Sequence, residues 1–449
     1  MKKTMVSLAA ASLIATSAMA ADKGIDIETT GQAVIYYNTL GNNAQNGADL
    51  FKNNANSKAN FGIQLNLNAD LKNNFTFGSQ INYLGTLGLE KNLVGGTMQN
   101  TNGGIAENNI ADDIYLSKIF IAKKMGNTTI KLGRQELPKS LSPLAFSEGW
   151  NVFKNTFDAM LIVNSDIPNT TVVGAYVAKG NGNGFGNNMS SFDNLVVKAD
   201  GGITGAVGGA AYMLTVANKS IPMTAITASY YHLRGVKATT PALNGSTTAD
   251  AIWLDAKIAG KDMPLGLNVG LQAGMIMPDD YYSTTIPGTV KFDDTTAYGV
   301  KIGMKPVKAL SLCMAFTSVD GDQNKVNVAV KNTTGVKTPL YTQMIANQDW
   351  IALDSDTFML KGVYNMGEAG KIILQGSMSS TGKSSLVTYT NAAGQTDGSD
   401  LLDVELVYKV KVGGVNLLAA YISQDWDKNA LSTGADHNDI IRFVARYNF

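Results

Sequence analysis

The last eleven residues of the chain, Asp439 to Phe449, change character at nearly every step: Ile441, Phe443, Ala445, Tyr447 and Phe449 fall on one side, and Ile440, Arg442, Val444, Arg446 and Asn448 on the other. A period of two puts the two sets on opposite faces of a β-strand. A strand with aromatics on one face and two arginines on the other, ending on its own phenylalanine, has little use in a soluble core. It suits the closing strand of a transmembrane β-barrel, where apolar side chains meet lipid and polar ones meet a wet lumen. Tyr447 and Phe449 then mark the closing end of that barrel.

The same alternation recurs upstream. Phe61, Ile63, Leu65, Leu67 and Ala69 oppose Asn60, Gly62, Gln64, Asn66 and Asn68, and Leu402, Val404, Leu406, Tyr408 and Val410 oppose Asp403, Glu405, Val407, Lys409 and Lys411. Amide and charged side chains on the second face imply water there rather than a packed core.

The amino terminus carries the address. Lys2 and Lys3, an apolar run from Met5 to Ala15 and the small-residue sequence Ala18-Met19-Ala20 read as a secretory signal peptide over 1–20. The run falls short of the ~20 residues that a membrane-crossing helix needs. The fold argument therefore concerns 21–449, a chain sent across the inner membrane to the bacterial outer membrane. In the whole sequence 36 Lys and Arg balance 36 Asp and Glu, and removing Lys2 and Lys3 leaves a slight negative charge, which gives no ground for a nucleic-acid partner. The single cysteine, Cys313, allows no intrachain disulfide, and no Cys/His spacing resembles a zinc site. No charge run or proline-rich linker marks a domain boundary, so one continuous barrel is expected. The stretch Gly201 to Asn218 lacks charge but is interrupted by glycine, and reads as loop followed by strand rather than as a membrane helix.

Short connections are the periplasmic turns of such barrels, and long ones are the outer loops. Eight short connections are expected, near Asp70 to Asn74, Met125 to Thr128, Ser165 to Asn169, Asn218 to Met223, Gly260 to Leu265, Lys305 to Lys308, Asn365 to Gly370 and Val412 to Gly414. Each joins two strands. With a first strand near Ile27 to Tyr37 and the closing strand, the total is eighteen antiparallel strands, and the runner-up is sixteen. The stretch Asn194 to Lys198 stays in a loop, because an odd total would break the parity. Outer loops are expected at Gly85 to Ala111, Gln135 to Asn155, Lys179 to Gly205 and Val319 to Asp354. At this width the wall's own side chains cannot fill the interior. No separate plug is expected ahead of the first strand, so a water-filled pore follows.

Lumen-facing parity falls on Glu28, Lys131, Asp255, Lys257, Lys301, Lys361, Asp403, Glu405, Lys409, Lys411, Arg442 and Arg446. Opposed charges across a constriction set a transverse field and an ion preference; the plainer reading is a solvated, screened wall. The loop from Gln135 to Asn155 stands apart, mixing Glu136, Lys139, Glu148 and Lys154 with Pro138, Pro143, Phe146, Trp150 and Phe153. Apolar anchors with charges of both signs suit a loop that folds inward and narrows the aperture, the alternative being an outer loop packed on itself or on a neighbouring subunit.

Gly133-Arg134-Gln135, Glu148-Gly149-Trp150-Asn151, Lys154-Asn155-Thr156-Phe157, Thr357-Phe358-Met359-Leu360-Lys361-Gly362 and the ending Arg446-Tyr447-Asn448-Phe449 resemble the major outer membrane porins of campylobacter-like bacteria. That family is similar to the outer membrane porin D class. The resemblance implies eighteen strands, a homotrimer, a pore narrowed by the third loop and a preference for cations, although lysines are many on the lumen face. Outer-membrane lipid, lipopolysaccharide, the barrel assembly machinery and small polar solutes are the partners that go with it.

The expected function is passive diffusion of ions and small hydrophilic solutes, with no covalent chemistry and no cofactor. Calcium is the one metal considered, at Asp279-Asp280, Asp293-Asp294, Asp320-Gly321-Asp322 and Asp354-Ser355-Asp356, where the plainer reading is solvated loop acids. A barrel hydrolase would need His232 or His437, and neither has a nucleophile-elbow motif. An adhesive or structural surface protein is the third reading, in which the Val319 to Asp354 loop serves attachment and is dispensable for conductance.

Overall fold

The computed structural model describes residues 25–44, 47, 49–52, 56–89, 94–95, 97, 113–183, 189–195, 209–236, 246–283, 288–322, 324–390, 396–427 and 435–449. The signal peptide expected at 1–20 lies outside them.

Eighteen long strands form one antiparallel sheet among the described residues. They are β1 (Asp26–Asn42), β2 (Ser57–Asp70), β3 (Phe75–Gly85), β4 (Asp113–Met125), β5 (Thr128–Gln135), β6 (Phe157–Asn164), β7 (Thr170–Gly180), β8 (Ala210–Asn218), β9 (Thr224–Val236), β10 (Thr247–Ala259), β11 (Asn268–Pro278), β12 (Thr295–Val307), β13 (Leu310–Val319), β14 (Ser355–Asn365), β15 (Lys371–Thr381), β16 (Asp400–Val412), β17 (Val415–Trp426) and β18 (His437–Asn448). Each strand pairs with its neighbours in sequence, and β18 returns to β1 in the register Gln32↔Asn448 through Asn42↔Asn438. The sheet is therefore a closed barrel. All eight expected short turns join the strand pairs assigned to them. The segment considered for an extra strand contributes a two-residue ladder, Asp193–Asn194, on the end of β7 and does not span the wall.

Burial inverts the soluble pattern. Leu374 and Met378 are 56% and 65% exposed on the outside, whereas Asp403 and Glu405 on the inner face are 0% exposed. An apolar exterior around a closed hydrogen-bond ladder is what a hydrocarbon environment requires. No helix among the described residues is long and apolar enough to cross a membrane.

The seam between first and last strands is closed by Phe449. Its carbonyl accepts from Gly31 N–H at 2.6 Å, and its own N–H donates to Gly31 O at 3.0 Å. The Phe449 ring lies over Gly31, which has room for it because it has no side chain. A Cβ there would meet the ring and, at 2.9 Å, the Gln64 carbonyl. Gly31→Val should therefore destabilise closure by about 1–3 kcal/mol. The expected result is a smaller heat-modifiable folded band on an unboiled SDS gel, and mobility identical to the parent chain would refute the account.

Candidate functional site

Among the described residues, two of the outer connections turn back into the barrel. The third, residues 136–156, leaves β5 where Gly133 adopts a φ of +119°, a conformation that favours glycine, and where a Cβ would strike the Ile119 carbonyl. Its neck is closed by Ser147 N–H to Leu137 O at 2.8 Å. Asn155 braces the loop, its Oδ1 accepting from Glu148 N–H at 2.7 Å and its Nδ2 donating to Phe146 O at 3.2 Å. Thr156 donates to Ser117 O on β4 at 2.7 Å. The residue types that carried the family resemblance here are thus the ones that shape this loop.

Glu136 is held between two lysines, Lys118 on β4 and, at 2.8 Å, Lys154. Burial raises its pKa, but the two ammoniums prevail and hold it below the usual carboxylate range. Lys139 donates to Thr338 O at 2.8 Å. Lys131 on β5 lies 3.7 Å over the Phe120 ring. Arg446 pairs with Gln32 and donates from Nη2 to Val152 O at 3.0 Å, tying β18 to the third loop.

The seventh connection, residues 320–354, was expected as an outer loop, dispensable for conductance only under the adhesive reading. The structure corrects its placement: most of residues 327–353 are buried within the barrel. Segment 339–347 crosses the inner wall, held by side chains of six strands. Asp255 on β10 accepts from Tyr341 Oη at 2.8 Å, and Gln272 on β11 accepts from Tyr341 N–H at 2.8 Å. Thr317 on β13 meets Thr342 at 2.6 Å, and Ser377 on β15 accepts from Asn347 at 3.2 Å. Glu405 on β16 accepts from the Ile345 and Ala346 N–H groups at 2.7 and 3.1 Å, and Gln424 on β17 donates to Ala346 O at 3.3 Å. Asp403, Glu405's neighbour on the same face, accepts from Gln424 at 2.8 Å. Glu405 therefore positions the loop directly and Asp403 only through Gln424, and neither faces open water.

Both loops enter because the outer half of the inner wall is apolar on one side. Tyr231, Leu233, Ala249, Ala251 and Trp253 form one cluster with Leu137 and Leu144 of the third loop and with Val328, Val330, Leu340, Trp350 and Ile351 of the seventh. Burying apolar surface drives that docking. The signal was present in the sequence. Lumen-parity positions that are aromatic and aliphatic where other strands carry amides, and a loop ending Trp350-Ile351-Ala352-Leu353, require a dry partner.

Among the described residues, three cavities flank the loops. One of about 1000 Å³ is lined by Lys139, Lys219, Lys257, Lys301 and Asp255 among others. A second of about 610 Å³ includes Lys118, Lys131, Lys154, Arg446 and Glu136. The third, about 740 Å³, includes Lys337, Lys371, Lys409, Lys411, Arg442 and Arg446, with no carboxylate in its described lining. Arg442 stacks 4.8 Å over Trp150 and donates to Asn38 at 3.2 Å. Lys361 lies on the inner parity of β14, next to Cys313 and Gln375 in the register.

The other expected sites fare differently. His232 pairs with Asp250 at 2.9 Å, and His437 with Asp425 at 2.6 Å and Asp439 at 3.1 Å; both stand near outer strand ends. Among the loop acids, Asp280 pairs with Lys291 at 2.6 Å, Asp293 with Lys325 at 2.8 Å, and Asp354 accepts from Ser384 N–H at 2.7 Å. No group of three His, Cys, Asp or Glu among the described residues could hold a metal ion.

No protein-family model matches the chain. No curated protein matches it either. Solved structures do. Pseudomonas aeruginosa OccK8 (OprE) has a TM-score of 0.67 at 14% identity, covering 94% of this chain and 98% of that one. Pseudomonas aeruginosa OpdK with vanillate has a TM-score of 0.67 at 12% identity, with the same coverage. Acinetobacter baumannii OccAB3 has a TM-score of 0.66 at 12% identity, covering 94% of this chain and 99% of that one. At such identity the likeness is one of fold, and it spans the whole barrel.

If Glu405 seats the seventh loop, Glu405→Ala leaves two backbone N–H groups without their acceptor, at about 1–3 kcal/mol each. Limited proteolysis should then cut within 339–350 faster than in the parent chain while the barrel stays heat-modifiable. Unchanged cleavage would remove Glu405 from that role.

Proposed function

We propose that the protein is an outer-membrane diffusion channel for small hydrophilic solutes, with a lumen that favours anions. The observation that carries this is the cavity between β14–β18 and the two inward loops. Lys371 and Lys409 stand directly opposite each other on neighbouring strands there. Like charges directly opposite in a sheet are destabilising. A wall that keeps them, with Lys337, Lys411, Arg442 and Arg446 around the same space, presents a positive field to whatever passes. The cations lining the other two cavities also outnumber the carboxylates, Asp255 and Glu136, that face them.

Solutes would move down their own gradients, and the chain supplies shape and charge rather than chemistry. Glu136, Lys139, Glu148 and Lys154 on the third loop set the aperture together with the seventh loop. Vanillate, named with the OpdK structure, is a small organic anion of the kind this lumen would take. The campylobacter-type assignment is supported by its residues bracing the third loop, but the cation preference that came with it does not suit this wall. Homotrimeric assembly, export by the signal peptide, insertion by the barrel assembly machinery and packing against lipopolysaccharide belong to the same reading. A resident metal, a cofactor and a hydrolytic centre do not.

In planar bilayers under a potassium chloride gradient, the reversal potential should carry the sign of chloride preference. Lys371→Glu with Lys409→Glu should move it towards potassium, and excising residues 327–350 should raise conductance. A cation-selective parent channel would overturn the anion reading, and absence of conductance would overturn the channel itself.

A further inference from the structure

The two inward loops meet inside the barrel, and each grips the other through a lysine. Lys139 of the third loop donates to Thr338 O of the seventh at 2.8 Å, and its ammonium lies 5.1 Å from the Phe146 ring centre. Lys337 of the seventh loop lies 5.1 Å over the Trp150 ring of the third and donates to Met344 O and Ile345 O, both at 2.8 Å. Thr333 N–H to Leu144 O and Phe146 N–H to Asn332 Oδ1, each at 2.9 Å, complete the junction.

Neither ammonium forms an ion pair within 4.0 Å among the described residues. Lys337 is 6% exposed, whereas Lys139 is exposed to the cavity beside the third loop. The charged groups facing Lys139 are Glu148 from its own loop, Asp255 and Lys257 from β10, and Lys301 from β12. Those facing Lys337 are Glu405 from β16, Glu148 and Lys139 from the third loop, and Arg442 from β18. Both signs surround each lysine, so the charges offset one another, and at Lys337 they leave burial as the main effect. A buried ammonium without a close counterion opposes the docking that buries it.

We propose that the junction of the third and seventh loops is a gate, which the burial of Lys337 keeps easily opened at neutral pH and which alkaline conditions latch. Burial pushes Lys337 down from the ordinary 10.5 to about 8, with Glu405 and Glu148 acting in the opposite direction. In separated loops Lys337 would meet water and titrate near the ordinary value. Below about 8 docked and separated forms are both protonated, and the opposition to docking is complete. Between about 8 and 10.5 the docked form has lost a proton that the separated form keeps, so docking strengthens as pH rises.

The proposal rests on the channel reading for its physiological meaning, but amide exchange at the junction tests it directly. The full chain in detergent is measured at pH 7 and pH 9.5, with intrinsic exchange rates divided out. Protection at the Phe146 and Thr333 amides should rise by roughly tenfold or more in the parent chain. The Lys337→Met variant, checked for barrel closure by heat-modifiable mobility, should show the higher protection at both pH values. In bilayers, steps between conductance levels should become rarer at pH 9.5 in the parent and be insensitive to pH in the variant. Equal protection at the two pH values, a variant that keeps the parent's pH dependence, or a variant less protected than the parent at pH 7 would each overturn the gate. A protein without current would refute the channel while exchange still decided the junction.

Discussion

A backbone amide in hydrocarbon has no partner but another amide, and that constraint organises everything else in this barrel. An open sheet edge in lipid would leave a row of such groups unpaired, at several kcal/mol each. The chain avoids this by bringing β18 back to β1, where Gly31 and Phe449 exchange hydrogen bonds at the seam. Closure at eighteen strands then fixes the width of the interior, and the width creates the second problem, which is what occupies the middle.

Among the described residues, the answer is a pair of inward loops. They enter on one side of the wall, where inward positions on β9 and β10 are aromatic and aliphatic, and they bury their own apolar residues against them. Elsewhere the wall holds them through hydrogen bonds from polar side chains on successive strands, with Glu405 taking two backbone N–H groups at once. Docking of this kind divides the labour among lumen-facing charges. Asp403 and Glu405 serve the loop, while Lys371, Lys409 and Lys411 line the space left over. The remaining field is therefore more positive than the alternating sequence of the wall suggests, because carboxylates have been withdrawn from it.

That redistribution explains why a near-neutral chain can enclose a basic interior. It also explains the two lysines at the loop junction. They lie where apolar packing from both loops converges, and their surroundings offer carbonyls and ring faces in place of close carboxylates.

Strand number, strand parity and the eight short turns were legible in the sequence, because side-chain alternation along a strand is a local property enforced by lipid on one side and water on the other. Residues such as Phe443 and Arg442 declare their faces without reference to any distant partner. The composition of residues 135–155 likewise signalled an unusual loop. The apolar ending Trp350-Ile351-Ala352-Leu353 signalled a dry partner for residues 320–354, but their path was not legible, since its polar anchors, Asp255, Gln272, Ser377 and Glu405, are scattered over the chain and become one surface only when the barrel closes. The sequence by itself determined a closed wall with an oily outside and a polar inside; the tertiary structure alone decided which of the inner charges face the aperture and which are spent on holding a loop, because that depends on distances between residues that only closure brings together.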